Sequence, residues 1–239
     1  MKAAEPPYGS AAFISDVHML SSLEPIFARY ELLCAEADKL FEQVRHLHPD
    51  CVTCALGCSD CCHAMFDLPL VEALYLNQKF SRAIAFGPQH SAIIHAAGDA
   101  DRLAARVKRK LYNSSKDGKV RQVMEDAART HIRCPLLDAE ERCRLYEHRR
   151  ITCRLYGVPA VIAGETHVCG KSAFHKGHAY PTVAMEKIQD RLAAMSQDIA
   201  QTLGTRFKEL HLVYVPVSMA LLTRYDANYL GLGPAKPES

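Results

Sequence analysis

A mainly α fold, one domain of packed helices with cysteine-rich loops between them, is what three observations predict. Apolar residues recur at the three- and four-residue spacing of helix faces over long stretches. No alternation of strand and helix signals runs along the chain, and no internal repeat is evident. Nine of the ten cysteines fall in two stretches, 51–62 and 134–169, where helical spacing breaks down. The 239 residues are 49% hydrophobic and 23% charged, a composition suited to one folded core. The expected organisation is an irregular N-terminal segment over 1–20, a helical metal-binding domain over 21–225 and a C-terminal tail over 226–239.

Residues 1–20 carry Pro6, Pro7 and Gly9 and show no periodicity. A helix is expected from Ser21, because Ser21 and Glu24 make a capping box and Pro25 is tolerated in a first turn. Phe27, Tyr30, Leu33, Cys34, Ala37, Leu40, Phe41, Val44 and Leu47 mark one face of it. Cys34 lies on that face and reads as a small buried hydrophobe. Pro49 ends the helix. The stretch LPLVEALYLNQKF, 68–80, predicts a second helix opening at a proline. Leu103, Val107 and Leu111 predict one or two helices within 91–112, and KVRQVMEDAARTHI, 119–132, predicts another. Residues 134–178 carry Pro, Gly and Cys at irregular intervals and predict loops shaped around a site. A long helix is expected from Pro181 to about Leu203, with Ile188, Leu192, Met195, Ile199 and Leu203 on one face. HLVYVPV, 211–217, is the one strand-like run, and its Pro216 weakens that reading.

The compartment decides how the cysteines are read. No apolar run approaches the roughly 18 residues of a spanning helix. The N-terminus, MKAAEPPYGSAAF, lacks the apolar core of a signal peptide. The expected location is therefore the cytoplasm, without a membrane partner, where thiols stay reduced and CxxC spacing points to metal or redox chemistry. The candidate ligands are Cys51, Cys54, Cys58, Cys61 and Cys62 upstream, and Cys134, Cys143, Cys153 and Cys169 downstream. A tetrahedral zinc and a four-iron cluster each take four thiolates. Nine thiols therefore suit two such sites with one left over, or a multinuclear site with bridging sulfurs. In an extended segment neighbouring side chains diverge, so adjacent Cys61 and Cys62 can serve different centres. Arg142, Arg144, Arg149, Arg150 and Arg154 surround Cys143 and Cys153 and are candidate donors to thiolate sulfur. His63, His131, His148, His167, His175 and His178 are secondary ligand candidates, led by His63 beside Cys62.

The segment CPLLDAEERCRLYEHRRITCRLYG, 134–157, resembles the signature of the YkgJ-type cysteine-cluster family, described as a zinc- or iron-chelating domain. Cys134, Pro135, Leu137, Cys143, Tyr146, Arg149, Cys153, Arg154 and Tyr156 carry the likeness. Cys58, Cys61 and Cys62 resemble the end of that family's upstream cluster, and Arg150 stands where the family usually has proline. The resemblance spans residues 51 to about 170 and implies metal binding. The flagellin lysine methylase is a relative with a similar cluster. A second pattern, CALGCSDC, has the C-x3-C-x2-C spacing of radical S-adenosylmethionine enzymes. That superfamily usually has an aromatic residue where Asp60 stands, and no barrel pattern accompanies it here.

Residues 102–121 hold eight Lys and Arg against one acid, Asp117, and read as a solvated basic face; nucleic acid is not an expected partner. No P-loop, dinucleotide fingerprint, HExxH or nucleophile elbow is present. The expectation is a metalloprotein binding an iron–sulfur cluster, first of all [4Fe–4S], or iron, with zinc as a further option. Its role is then redox or catalytic. The alternatives are a zinc-stabilised interaction module and a cluster-dependent enzyme such as a protein lysine methylase. A protein or small-molecule partner is expected but not specified.

Overall fold

The computed structural model describes residues 10–116, 130–175 and 177–233, with the backbone alone at 10–20, 114 and 115. The fold is mainly helical, as expected. Helix α1 runs over Ser10–Leu47, so it begins well before the expected start at Ser21 and holds Pro25 in its interior. Proline lacks the N–H that an interior position donates, which is why the first turn was the expected place. Leu23, Phe27, Tyr30, Leu33, Cys34, Ala37 and Val44 are buried along one stripe, with Cys34 among them as expected. Leu40 and Leu47 are exposed instead, and with Pro181 and Val183 they line an apolar hollow at the end of α1.

Helix α2, Leu70–Ala83, begins directly after Pro69, whose φ of −64° and ψ of 162° turn the chain from strand into helix. Leu70 through Leu76 are all buried. A helix buried on every side over two turns belongs at the centre of a bundle, and α2 packs against α1 and two later helices, Met185–Leu203 and Val217–Leu222. Helix α3, Pro88–Lys116, is one continuous helix. Its buried stripe is Ile93, Ala97 and Ala104, while Leu103 faces solvent. The small stripe lets α3 lie close to α6, Val217–Leu222. Residues 119–129 of the helix expected over 119–132 lie outside the described residues.

Strand β1, Asp67–Pro69, pairs antiparallel with β5, Tyr214–Pro216, in the register Leu68 to Val215. Each strand ends in a proline that opens a helix, α2 or α6. Asn77 Nδ2 donates to the carbonyls of Ala220 and Thr223, closing the end of α6. Residues 134–178 hold short elements among loops. Helix α4, Ile151–Leu155, packs on α1, and β2, Ala160–Ile162, forms a hairpin with β3, Glu165–His167. Ala163 and Gly164 both have positive φ, the backbone a two-residue hairpin turn needs.

Strand β4, Val183–Ala184, runs parallel to β2, so the long helix α5, Met185–Leu203, starts after it rather than at Pro181. Ile188, Leu192, Met195 and Ile199 are buried, and Gly204 ends α5 with φ +58°. Part of the segment read as a tail is folded back: Leu230 is fully buried, and Arg206 N donates to Gly231 O at 3.0 Å. Among the described residues, no helix is long and apolar enough to cross a membrane.

One buried carboxyl ties the helices that carry the cysteine loops. Glu72 of α2 accepts from Tyr30 Oη of α1 at 2.8 Å and from Ile151 N of α4 at 2.9 Å. Burial raises its pKa; those two hydrogen bonds oppose the rise. Asp38 of α1 takes Arg149 and Arg154. The short helix bearing Cys153 is thereby fixed to α1 by polar bonds at both ends.

Candidate metal centre

The upstream cysteine stretch leaves α1 through a turn at His48 and crosses the bundle surface to a 3-10 turn at Asp60–Cys62. Its two ends meet different parts of the downstream chain. At the far end Cys134 N donates to Cys62 O at 2.7 Å, Ile132 N donates to His63 O at 2.9 Å, and Ala64 bridges to His131. At the near end Ala173 N donates to Cys51 O at 3.0 Å and Thr53 Oγ1 to Lys171 O at 2.9 Å. Residues 134–145 turn back on themselves, with Leu137 bridged to Cys143 and Arg144 N donating to Leu136 O. Asp138 holds the turn by accepting from the backbone of Glu140 and Arg142. Glu141, at φ +59°, accepts from Ser59 Oγ and Arg133 Nη1, tying this turn to the upstream stretch.

The thiols follow the backbone. Cys61 couples electrostatically to both Cys62 and Cys153, and Arg150 Nη2 donates to Cys153 Sγ at 3.2 Å. Cys134 and Cys143 face the same charges, Arg150 and Cys153. Cys54 couples electrostatically to Cys58, and both couple to Cys169. Cys169 Sγ lies 3.4 Å from Asp60 Oδ2, and Lys171 Nζ lies 3.5 Å from Asp60 Oδ1. Cys54 occupies the space beside Gly157, where an added Cβ would stand 2.2 Å from its sulfur. Cys51 packs against the core, and Cys62 is buried. Among the described residues, no three Cys, His, Asp or Glu side chains converge closely enough to form a ready-made metal site. The thiols of the C-x3-C-x2-C run, Cys54, Cys58 and Cys61, are among those that do not converge.

Electrostatics mark the site. Burial pushes Cys54 and Cys143 up to about 11. For Cys61 the Cys153 hydrogen bond pulls down, while Cys62 and burial prevail and push it to about 12. Cys153 is raised by its bond to Cys61 and by burial. Arg150 is 6% exposed; burial lowers its pKa, but Cys153 and Cys134 prevail and hold it in the charged form. Its guanidinium lies 4.3 Å over the Phe66 ring, and its Nη1 is buried with no hydrogen-bond partner. Of the five arginines in the sequence block, Arg150 bonds to sulfur. Arg149 and Arg154 pair with Asp38, and Arg142 pairs with Asp138.

The histidines stand apart from the thiols' pairings. His63 Nδ1 lies 3.1 Å from Ser59 O, and His148 Nδ1 lies 3.2 Å from Tyr75 Oη. His131, His167, His175 and His178 are exposed. Sequence reasoning did not single out Asp60 as a ligand, nor Gly157, Phe66 or Glu72. Asp60, lying between Cys58 and Cys61, was the legible one, because a carboxylate among thiols is itself a metal donor. No family model, curated protein or solved structure matches this chain.

Proposed function

We propose that this chain is a YkgJ-type metalloprotein of the cytoplasm whose clustered cysteines hold iron, as an iron–sulfur cluster of the [4Fe–4S] kind, with zinc at a second site. One observation carries the reading: thiols of both stretches meet at a buried guanidinium, Cys61 through Cys153 and Cys153 through Arg150. The donor chemistry fits. Four thiolates around a divalent core leave a charge of about −2, and Arg150 Nη1 is a buried donor without an acceptor. A buried cation of this kind is costly unless an anion accompanies it.

The chain's own residues have definite roles in this reading. Arg150 stabilises thiolate at Cys153, α4 orients both, and Gly157 leaves room for the Cys54 sulfur. Thiols that held the metal would give up their protons to solvent, which would couple metal binding to pH and to folding. The bound group would supply electron transfer or Lewis-acid chemistry. The test is iron, zinc and acid-labile sulfide analysis of protein prepared without oxygen. A brown protein with matched iron and sulfide is expected. Zinc without iron would make the chain a metal-stabilised interaction module, and a chain free of both metals would end the proposal.

A further inference from the structure

We infer that the outer face of α3 is a docking surface for a nucleic acid, gripping the phosphate backbone without regard to base sequence. Residues 102–116 contain no Asp or Glu, and the helix gathers their cations on one side. Arg102, Arg106, Arg109, Asn113 and Lys116 recur every three or four positions, so they share a face, with Lys110 at its edge. All six are exposed. The buried stripe of Ile93, Ala97 and Ala104 lies on the opposite side of α3, which packs on α6. The core thereby fixes the cationic side toward water. At 1.5 Å per residue the row is about 21 Å long.

The fold neutralises the other cations of α3 and leaves the middle of this row open. Lys108, on the flank of the helix, donates to both carboxylate oxygens of Asp67 at 2.7 Å. Arg102 pairs with Asp99 at one end of the row, and Lys116 Nζ lies 4.5 Å over the Tyr112 ring at the other. Among the described residues, Arg106, Arg109 and Lys110 make no ion pair. The whole chain carries a net charge of only +2, so the row is a local concentration rather than part of a generally basic surface. An unbroken row of cations, one per helical turn, is complementary to an unbroken row of anions. A nucleic acid carries such a row in its covalent structure, one phosphate per nucleotide, whereas a protein needs a specially acidic sequence to do so. The planar fork of arginine matches two oxygens of one phosphate. A lipid surface fits less well, because a helix lying on a membrane inserts its apolar face, and that face of α3 is buried in the bundle.

Fluorescence anisotropy of a labelled oligouridine RNA with full-length protein prepared without oxygen tests this. An RNA of about 20 nucleotides should bind at about 50 mM salt and weaken as salt rises, with a log–log slope of about −3 for four phosphate contacts on a single strand. Arg106→Gln combined with Arg109→Gln should make the slope shallower by about 1.4 and weaken binding roughly tenfold. Arg106→Lys with Arg109→Lys keeps the charges and should keep the slope. Lys39→Gln with Lys208→Gln removes two exposed charges from other helices and loops and should leave binding within about twofold of the unmodified protein. Absence of binding at low salt would overturn the proposal, as would equal weakening by the two double glutamine variants. Displacement of the RNA by polyglutamate more readily than by unlabelled oligouridine at equal charge would overturn it in favour of an acidic protein partner. The replaced side chains are exposed, so the variants should keep their helical circular dichroism; where one does not, the salt slope and the competition on unmodified protein decide.

Discussion

The helical core and the cysteine loops are built by different forces. Around α2, side chains such as Phe27, Leu74, Leu192 and Ile199 are almost wholly removed from water. Each contributes about 1.5–3 kcal/mol by burial alone, and Glu72 closes the polar account of three helices at once. Between Cys51 and Ser172 the described elements are mostly short. Three-residue strands, single 3-10 turns and a five-residue helix stand outside α2 and α3, and cross-links such as Ser59–Glu141 and Thr53–Lys171 join the loops. Those loops contain a buried cation with an unpartnered nitrogen, whereas the buried atoms without a hydrogen bond among the described residues of the helical part, Gln78 Oε1, Thr223 Oγ1 and Tyr225 Oη, are uncharged. A core folds by excluding water. The loops keep a donor and a charge that apolar packing leaves incomplete, an arrangement that the proposed metal would complete.

The largest effect should come from removing metal. Chelation under reducing conditions should lower the melting temperature sharply and open 134–178 to protease while α1, α2 and α5 stay protected, because structural metal sites contribute on the order of 10 kcal/mol to folding. Unchanged stability and unchanged protease resistance after chelation would erase the contrast between the two regions. Next in size is Leu192→Ala, a truncation in the core. It should cost about 2–5 kcal/mol in a denaturant melt and leave metal content untouched; coupled loss of metal would mean the regions fold as one unit.

A smaller effect isolates the loops. Arg150→Met removes the cation and keeps an apolar side chain over Phe66. Metal affinity, measured by competition with a coloured chelator, should fall about 10–100-fold. The metal-free protein should melt no lower than unmodified protein, because a poorly paired buried charge has gone. A drop in metal-free stability with unchanged metal affinity would assign Arg150 to packing.

The smallest effect belongs to Cys34, the cysteine of the core. Cys34→Ala should cost about 1 kcal/mol and keep every metal equivalent. Burial raises the Cys34 pKa from 9.0 to about 11. The folded state thus holds the proton more tightly than the unfolded chain. Its stabilising contribution is complete below pH 9 and is lost as pH rises through about 11. Urea melts of the variant should show a shallower alkaline decline than unmodified protein. An identical decline would show that Cys34 does not titrate there.

Much of the architecture was written in local order. The face Phe27–Tyr30–Leu33–Cys34–Ala37, the proline opening of α2 and the end of the long helix at Leu203 depend on neighbours three or four residues away, and all three appear in the fold. The concentration of thiols in two stretches was equally plain. What the sequence did not determine is whatever depends on distant partners. The start of α1 at Ser10 escaped the capping signal at Ser21, and Leu103 looked like a core residue until α3 met α6 through Ile93, Ala97 and Ala104. The pairing of β1 with β5 joins segments that lie far apart in the sequence.

The same limit governs the site. Residue types and spacing alone determined that this chain gathers thiols with arginines among them, because cysteine content and local spacing are properties of the string. Only the tertiary structure decided that Cys61 couples to Cys153, that Cys169 lies beside Asp60, and that Arg150 alone of five neighbouring arginines bonds to a thiol while Asp38 takes two of the others. Those choices follow from where α4 docks on α1 and from which backbone amides the crossing loop satisfies. Such contacts between residues far apart in sequence exist only once the helices have packed.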